Sequence, residues 1–161
     1  MRGLHVLLSA TAAQLLAGLF LTAEAQRSRG AVRVSPEIGI RAGRDFSVDT
    51  WTAGAHFRIP FARTVEFRPS ADVALEDIGD DFQINGDLAL HGPRDQAYIG
   101  AGVGYVNRQF DSGKDSGTGL NLFLGFKPLP RPGSQIYLEG RWTFVDSETL
   151  FRVSMGVTIP L

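Results

Sequence analysis

The residues that could carry chemistry are few. Cysteine is absent and histidine occurs three times, which excludes disulfides and thiolate metal sites. A nucleophile, base and acid for acyl transfer could be drawn from Ser154, His56 and Glu139, but nothing in their spacing ties the three together. Acidic residues gather at Asp77, Asp80 and Asp81 and again at Asp111 and Asp115, oxygen donors of the kind calcium takes, but acidic loops are more often simply solvated. Gly100-x-Gly102-x-Gly104 is spaced like a strand and no helix follows it, so it does not read as a phosphate loop. No Asn-x-Ser/Thr sequon occurs. No catalytic residue, metal or cofactor is therefore expected.

What the charged residues share is a period of two, and this points to the elements that must position them. The last twelve residues show it most clearly. Phe151, Val153, Met155, Val157, Ile159 and Leu161 alternate with Arg152, Ser154, Gly156 and Thr158. Such alternation marks an extended strand with two unlike faces. Seven further segments repeat it, at about 33–42, 49–59, 64–76, 82–91, 96–109, 118–127 and 134–145, each bounded by Gly, Pro, Asp or Ser. None sustains a helical period. Eight alternating segments joined by short links predict an all-β, eight-stranded antiparallel up-and-down barrel, an arrangement with no exposed edges. The tail would close it by pairing with the first segment, Val34 to Ala42. Pro69, in the middle of segment three, predicts a bulge.

Composition does not say which face points outward. Hydrophobic residues make up 43 % and net charge is −1, so the overall balance points to neither nucleic acid nor an anionic surface. A soluble lipocalin-like periplasmic barrel would turn the apolar face inward around an apolar ligand, and a membrane barrel would turn it outward. Three features favour the membrane. Aromatics lie at both ends of the apolar stripes, with Trp51, Phe82, Tyr105, Trp142, Phe144 and Phe151 at one end and Phe57, Phe67 and Phe126 at the other. Small aliphatics lie between them, which is the pattern of two interfacial girdles. The links at 60–63, 92–95 and 128–133 contain proline, and the first two are short. Those at 43–48, 77–81, 110–117 and 146–149 are mostly polar and glycine-containing, as outer loops tend to be. Most segments also reach the ~9–11 residues that a tilted strand needs to cross a bilayer.

The N-terminus reads as a leader. Met1-Arg2 precedes an apolar run from Leu4 to Leu21, and Ala23 and Ala25 supply the small residues of a cleavage site before Gln26. Residues 1–25 are expected to be a signal peptide and 26–161 the barrel.

On strand count, girdles and tail, the chain resembles the small eight-stranded outer-membrane barrels of the OmpA transmembrane-domain and OmpX kind. The tail residues Ser154, Gly156, Ile159 and Leu161 look like the C-terminal signal read by the barrel assembly machinery, although the usual last residue there is Phe. The resemblance implies a small monomeric barrel in the outer membrane of a Gram-negative bacterium, in contact with lipid and lipopolysaccharide. A structural or surface-interaction role follows, ahead of a narrow porin-like path along the glycine stripe or a lipid-modifying enzyme. Facing inward would be Glu37, Glu66, Asp72, Glu76, Asp87 and Glu139 against Arg41, Arg58, Arg68, Lys127, Arg141 and Arg152, with Arg33 and Arg108 near the ends. Balanced inward charges should pair, because an unpaired buried charge is costly. The expected interior is a polar plug, not an open pore.

Overall fold

Side chains alternate inward and outward along every strand, and this parity dictates the architecture. The computed structural model describes residues 35–76, 81–92, 95–110, 113–128, 133–146 and 148–161. The expected leader, Arg33, Asp77, Asp80 and Asp111 lie outside the described residues. The strands are β1 (Glu37–Asp45), β2 (Thr50–Pro60), β3 (Val65–Ala74), β4 (Phe82–His91), β5 (Ala97–Phe110), β6 (Gly113–Phe126), β7 (Gln135–Val145) and β8 (Glu148–Pro160). Each pairs antiparallel with the next, and β8 pairs with β1 from Glu37↔Pro160 to Asp45↔Arg152, closing the barrel. Closure leaves no strand edge along the barrel wall. The end carrying Glu37 and Pro160 is called the lower end.

Several boundaries differ from the sequence reading. β1 continues through Gly43 and Arg44 to Asp45, where an outer loop was expected, so among the described residues the closing seam runs from Glu37 to Asp45, past the expected end at Ala42; Val34 lies outside the described residues. β5 and β6 pair as far as Phe110↔Gly113, turning most of the expected 110–117 loop into a two-stranded ribbon. Both extensions are glycine-rich and polar. They carry no apolar alternation to read, yet backbone pairing needs none. The upper connections are consequently 46–49, 75–81, 111–112 and 146–147, and they are not longer as a class than the lower ones at 61–64, 92–96 and 127–134. Positive φ values at Asp49, Asp95 and Asp146 mark three of these turns, and aspartate tolerates that region better than most residues. Glu76 lies beyond the end of β3 and is exposed, so it takes no part in the interior.

Pro69 makes no bulge. The β3–β4 ladder passes through Pro69↔Gly86 without an inserted residue. On the other side, β2 and β3 keep one register from Thr52↔Ala74 to Pro60↔Glu66, but bridges are missing at Phe57 and Arg58. The reason is local. In this register the amide of residue 69 would donate to the Phe57 carbonyl, and proline has no N–H to give. The ladder loses a bond without losing its alignment.

Candidate functional site

The interior is polar and the exterior is apolar. Among the described residues the buried apolar side chains are Ala74, Ala89, Tyr98, Val106, Phe123, Tyr137 and Leu150, while the other buried residues with side chains are polar or charged. Large apolar side chains such as Ile40 (68 % exposed), Leu120, Met155 and Ile159 stand on the outer wall. The registers place the inward charges in layers along the barrel axis.

Glu139, on β7, is the centre of the middle layer. It receives Arg68 Nη1 at 2.5 Å, Arg141 Nη2 at 3.1 Å, Arg41 Nη1 at 3.2 Å and the Tyr98 hydroxyl at 3.0 Å. Each guanidinium has a second carboxylate: Asp72 for Arg41 at 2.6 Å, Asp87 for Arg141 at 2.7 Å and Glu66 for Arg68 at 2.6 Å. Charge-assisted contacts of this kind are stronger than neutral hydrogen bonds, and Arg41 grips Asp72 bidentately, with Nε 2.7 Å from Oδ1 and Nη2 2.6 Å from Oδ2. Arg68 also lies over the Tyr98 ring at 4.5 Å, and Arg141 over Phe123 at 4.7 Å, adding cation–π attraction. Neutral groups fill the remaining valences. Asn121 donates to Asp87 and Asn85, and Gln83 bonds Thr143.

The upper layer contains an ion pair not foreseen from the sequence. Arg108 meets Asp45 at 2.7 Å, and Arg152 lies 3.5 Å from Asp45 and 3.1 Å from Asp72. Asp45 was assigned to a loop, yet it shares the parity of Arg41 on β1, which was the available signal. Outside the wall Arg44 pairs with Asp49 and lies over the Trp51 ring at 5.3 Å.

The lower layer joins Glu37 to Arg58 at 2.6 Å and Arg58 to Glu66 at 2.9 Å. His91 Nε2 lies 3.0 Å from Glu66, and its Nδ1 lies 2.6 Å from Asp95, which also binds Lys127 at 2.9 Å. Burial would raise the Asp95 carboxyl, but His91 and Lys127 outweigh it and hold that carboxyl at about 2. Burial and the nearby Arg58 push the Lys127 ammonium below its usual value, against the pull of Asp95. A cleft of roughly 100 Å³ opens beside this layer at the lower mouth, lined by Glu37, Arg58, Arg63, Glu66, His91 and Asp95 among others.

Among the described residues every charge assigned to the interior, Glu76 apart, thus has an ion-pair partner. The proposed acyl-transfer set does not assemble. Ser154 is opposite Glu139 in the β7–β8 register, but Glu139 is occupied by its three arginines and Tyr98. His56 faces Tyr137, its Nδ1 3.4 Å from the hydroxyl. The glycine stripe is not a water path either. A Cβ at Gly100 would overlap the Phe123 ring, one at Gly102 would overlap Asp87, and one at Gly104 would meet Asn85. Tyr98 and Tyr137 lie against Gly125 and Gly156. Each large ring has a hydrogen atom facing it in place of a side chain, which is how so narrow a barrel holds two tyrosines and a phenylalanine. No group of histidines and carboxylates suited to a metal ion occurs among the described residues. Asp81 is described and buried.

On the outer wall the aromatics stand in two rings. Trp142 and Phe151 are 4.9 Å apart at the upper end, with Phe46 5.8 Å beyond, and Phe82 pairs with Tyr105 at 6.1 Å. Trp51 and Phe144 face outward at the same end. At the lower end Phe57 and Phe126 face outward and Phe67 lies 6.4 Å from Phe61. Phe46 and Phe61 belong to turns, outside the alternating segments, and were missed for that reason. In the tail, Ser154 and Gly156 point inward and Ile159 outward, while the Leu161 amide bonds the Pro36 carbonyl at 2.9 Å.

No protein-family model matches the chain, and no curated protein matches it. Solved structures do. The N-terminal β-barrel domain of Pseudomonas aeruginosa OprF superposes with a TM-score of 0.67 at 18 % identity, covering 79 % of this chain and 97 % of that one. Yersinia pestis outer membrane protein Ail gives 0.52 at 13 % identity, covering 79 % and 99 %. Neisserial surface protein A gives 0.53 at 11 % identity, covering 78 % and 96 %. At these identities the likeness carries architecture, and the chain has the fold of the small eight-stranded outer-membrane barrels.

Proposed function

We propose that the protein is an integral barrel of a Gram-negative outer membrane with a structural or surface-interaction role and no enzymatic activity. One observation carries this reading: polarity is reversed relative to a soluble barrel, with buried ion pairs inside and exposed Ile, Leu, Val and Met outside. A soluble lipocalin-like barrel needs an apolar cavity, and the described interior is filled with charge. A bare wall of aliphatic side chains is stable against hydrocarbon, not against water. The aromatic rings, Trp51, Phe82, Tyr105, Trp142, Phe144 and Phe151 above and Phe57, Phe67 and Phe126 below, would then lie at the two membrane interfaces. Ser154, Gly156, Ile159 and Leu161 would be read by the barrel assembly machinery. Residues 1–25 would be removed on export, and the barrel would act as a monomer among lipid and lipopolysaccharide.

Cell fractionation with unheated and heated gel electrophoresis tests the reading. The protein should partition with the outer membrane and migrate as a compact band until heated. A soluble periplasmic protein with a single band would overturn it. In planar bilayers the purified protein should hold a closed baseline, and steady conductance would refute the plugged lumen.

A further inference from the structure

At the lower mouth one residue sits between two carboxylates from different elements. His91, the last residue of β4, has Glu66 Oε2 of β3 3.0 Å from Nε2 and Asp95 Oδ1 of the 92–96 turn 2.6 Å from Nδ1. A neutral imidazole carries one N–H, so it can answer only one carboxylate, whereas the imidazolium answers both. A third group competes for the same nitrogen. Arg58 Nη2, from β2, lies 3.3 Å from Nε2 and 2.9 Å from that same Glu66 oxygen. Glu66 Oε2, Arg58 Nη2 and His91 Nε2 therefore form a triangle with two possible bonding patterns.

We propose that His91 is a proton-dependent clasp on the lower mouth. Charged, it ties Glu66 on the neighbouring strand β3 to Asp95 in the 92–96 turn. Neutral, it keeps its one proton on Nδ1 for Asp95, presents a bare Nε2 to Arg58 as an acceptor, and leaves Glu66 to Arg58 and Arg68. The surroundings favour these two patterns. From β2 comes Arg58, itself held by Glu37 of β1 at 2.6 Å. From β3 comes Glu66, also held by Arg68 at 2.6 Å. From the turn comes Asp95, anchored to Lys127 at the end of β6 at 2.9 Å. From β5 the Tyr98 ring packs on the imidazole at 5.4 Å, and Arg63 lines the same cleft. Asp95 keeps a partner in both patterns because Lys127 does not let go. Glu66 is the group whose partners change, and through Arg68 it touches Glu139. A proton taken up at the mouth is thereby felt in the middle layer. The cleft beside His91 gives water and protons their access.

The test is a pH titration of the folded full chain in detergent micelles by NMR, following the His91 ring and the Glu66 and Asp95 side-chain carboxylate carbons. The Glu66 carboxylate should shift in the same step as the His91 ring, and the Asp95 carboxylate should shift less. A His91 titration that leaves Glu66 unmoved overturns the proposal. In His91→Gln, which retains side-chain bulk and polarity, the Glu66 step that accompanies the His91 ring should vanish; its persistence overturns the proposal as well. The wild-type titration stands by itself if the variant does not fold.

Discussion

Glu139 is fully buried and faces three guanidiniums and one phenol, so removing its charge is the sharpest test of how the interior is held together. In Glu139→Gln the shape is kept, but one oxygen becomes an amide donor among guanidiniums that only donate, with the Tyr98 hydroxyl as the one neighbour able to accept. The loss should not equal three separate ion pairs, because Arg41, Arg68 and Arg141 retain Asp72, Glu66 and Asp87. Leaving a buried charge cluster short of one partner costs about 3–5 kcal/mol. That corresponds to roughly two to three and a half orders of magnitude in the folding equilibrium at about 1.4 kcal/mol per decade. The measurement is equilibrium urea unfolding of the lipid-embedded protein, read from the ratio of compact to unfolded bands on unheated gels. Glu37→Gln is the control. The Glu37 side chain is 22 % exposed, and its partner Arg58 keeps Glu66, so a loss of about 1 kcal/mol or less is expected. Adding Arg68→Met to Glu139→Gln should recover part of the loss, since it removes one of the three cations left with one carboxylate fewer, and Glu66 keeps Arg58. If Glu139→Gln is no more destabilising than Glu37→Gln, the interior is a hydrated, loosely coupled set of charges and the reasoning fails.

Two further substitutions probe the wall. Pro69→Ala restores the amide that the Phe57 carbonyl lacks, so it should stabilise by about 1 kcal/mol and give residue 69 an exchange-protected amide; a fast-exchanging amide would show that the missing donor is not what interrupts the ladder. Met155→Arg puts a cation on the outer face midway along β8, where 60 % of the methionine is exposed, and should cost about 2–4 kcal/mol in bilayers; an unchanged stability there would mean that this face meets water.

Much of the interior was legible because parity along a strand is a local property. Once Arg41 and Glu37 are assigned to one face, the pleat carries the rest of β1 with them, and the same holds for Glu139 and Arg141 on β7. The misses have equally local causes. Asp45 follows Gly43 and Arg44, where the apolar half of the alternation stops, so its parity with Arg41 went unread. Phe46 and Phe61 lie in turns and have no parity at all. Pro69 was expected to bring a bulge because a missing donor and an inserted residue both interrupt a ladder; here the first occurs without the second. The 113–117 stretch pairs with β5 along its backbone, and no alternating pattern in the sequence announces it.

The sequence by itself determined the class of fold and which side of each strand faces inward, because alternation with period two is written residue by residue. It also implied that the inward charges must pair, because each sign is represented in comparable number. The tertiary structure alone decided who pairs with whom. Arg41 and Glu139 are 98 positions apart and meet only because closing the barrel brings β1 and β7 to one level of the lumen. The register between neighbouring strands sets Phe123 opposite Gly100, Tyr98 opposite Gly125 and Tyr137 opposite Gly156, filling the space that the glycines leave. It also brings His91 within reach of Glu66, Arg58 and Asp95 together. Cross-lumen distances depend on the stagger of all eight strands at once, and no single segment contains that information.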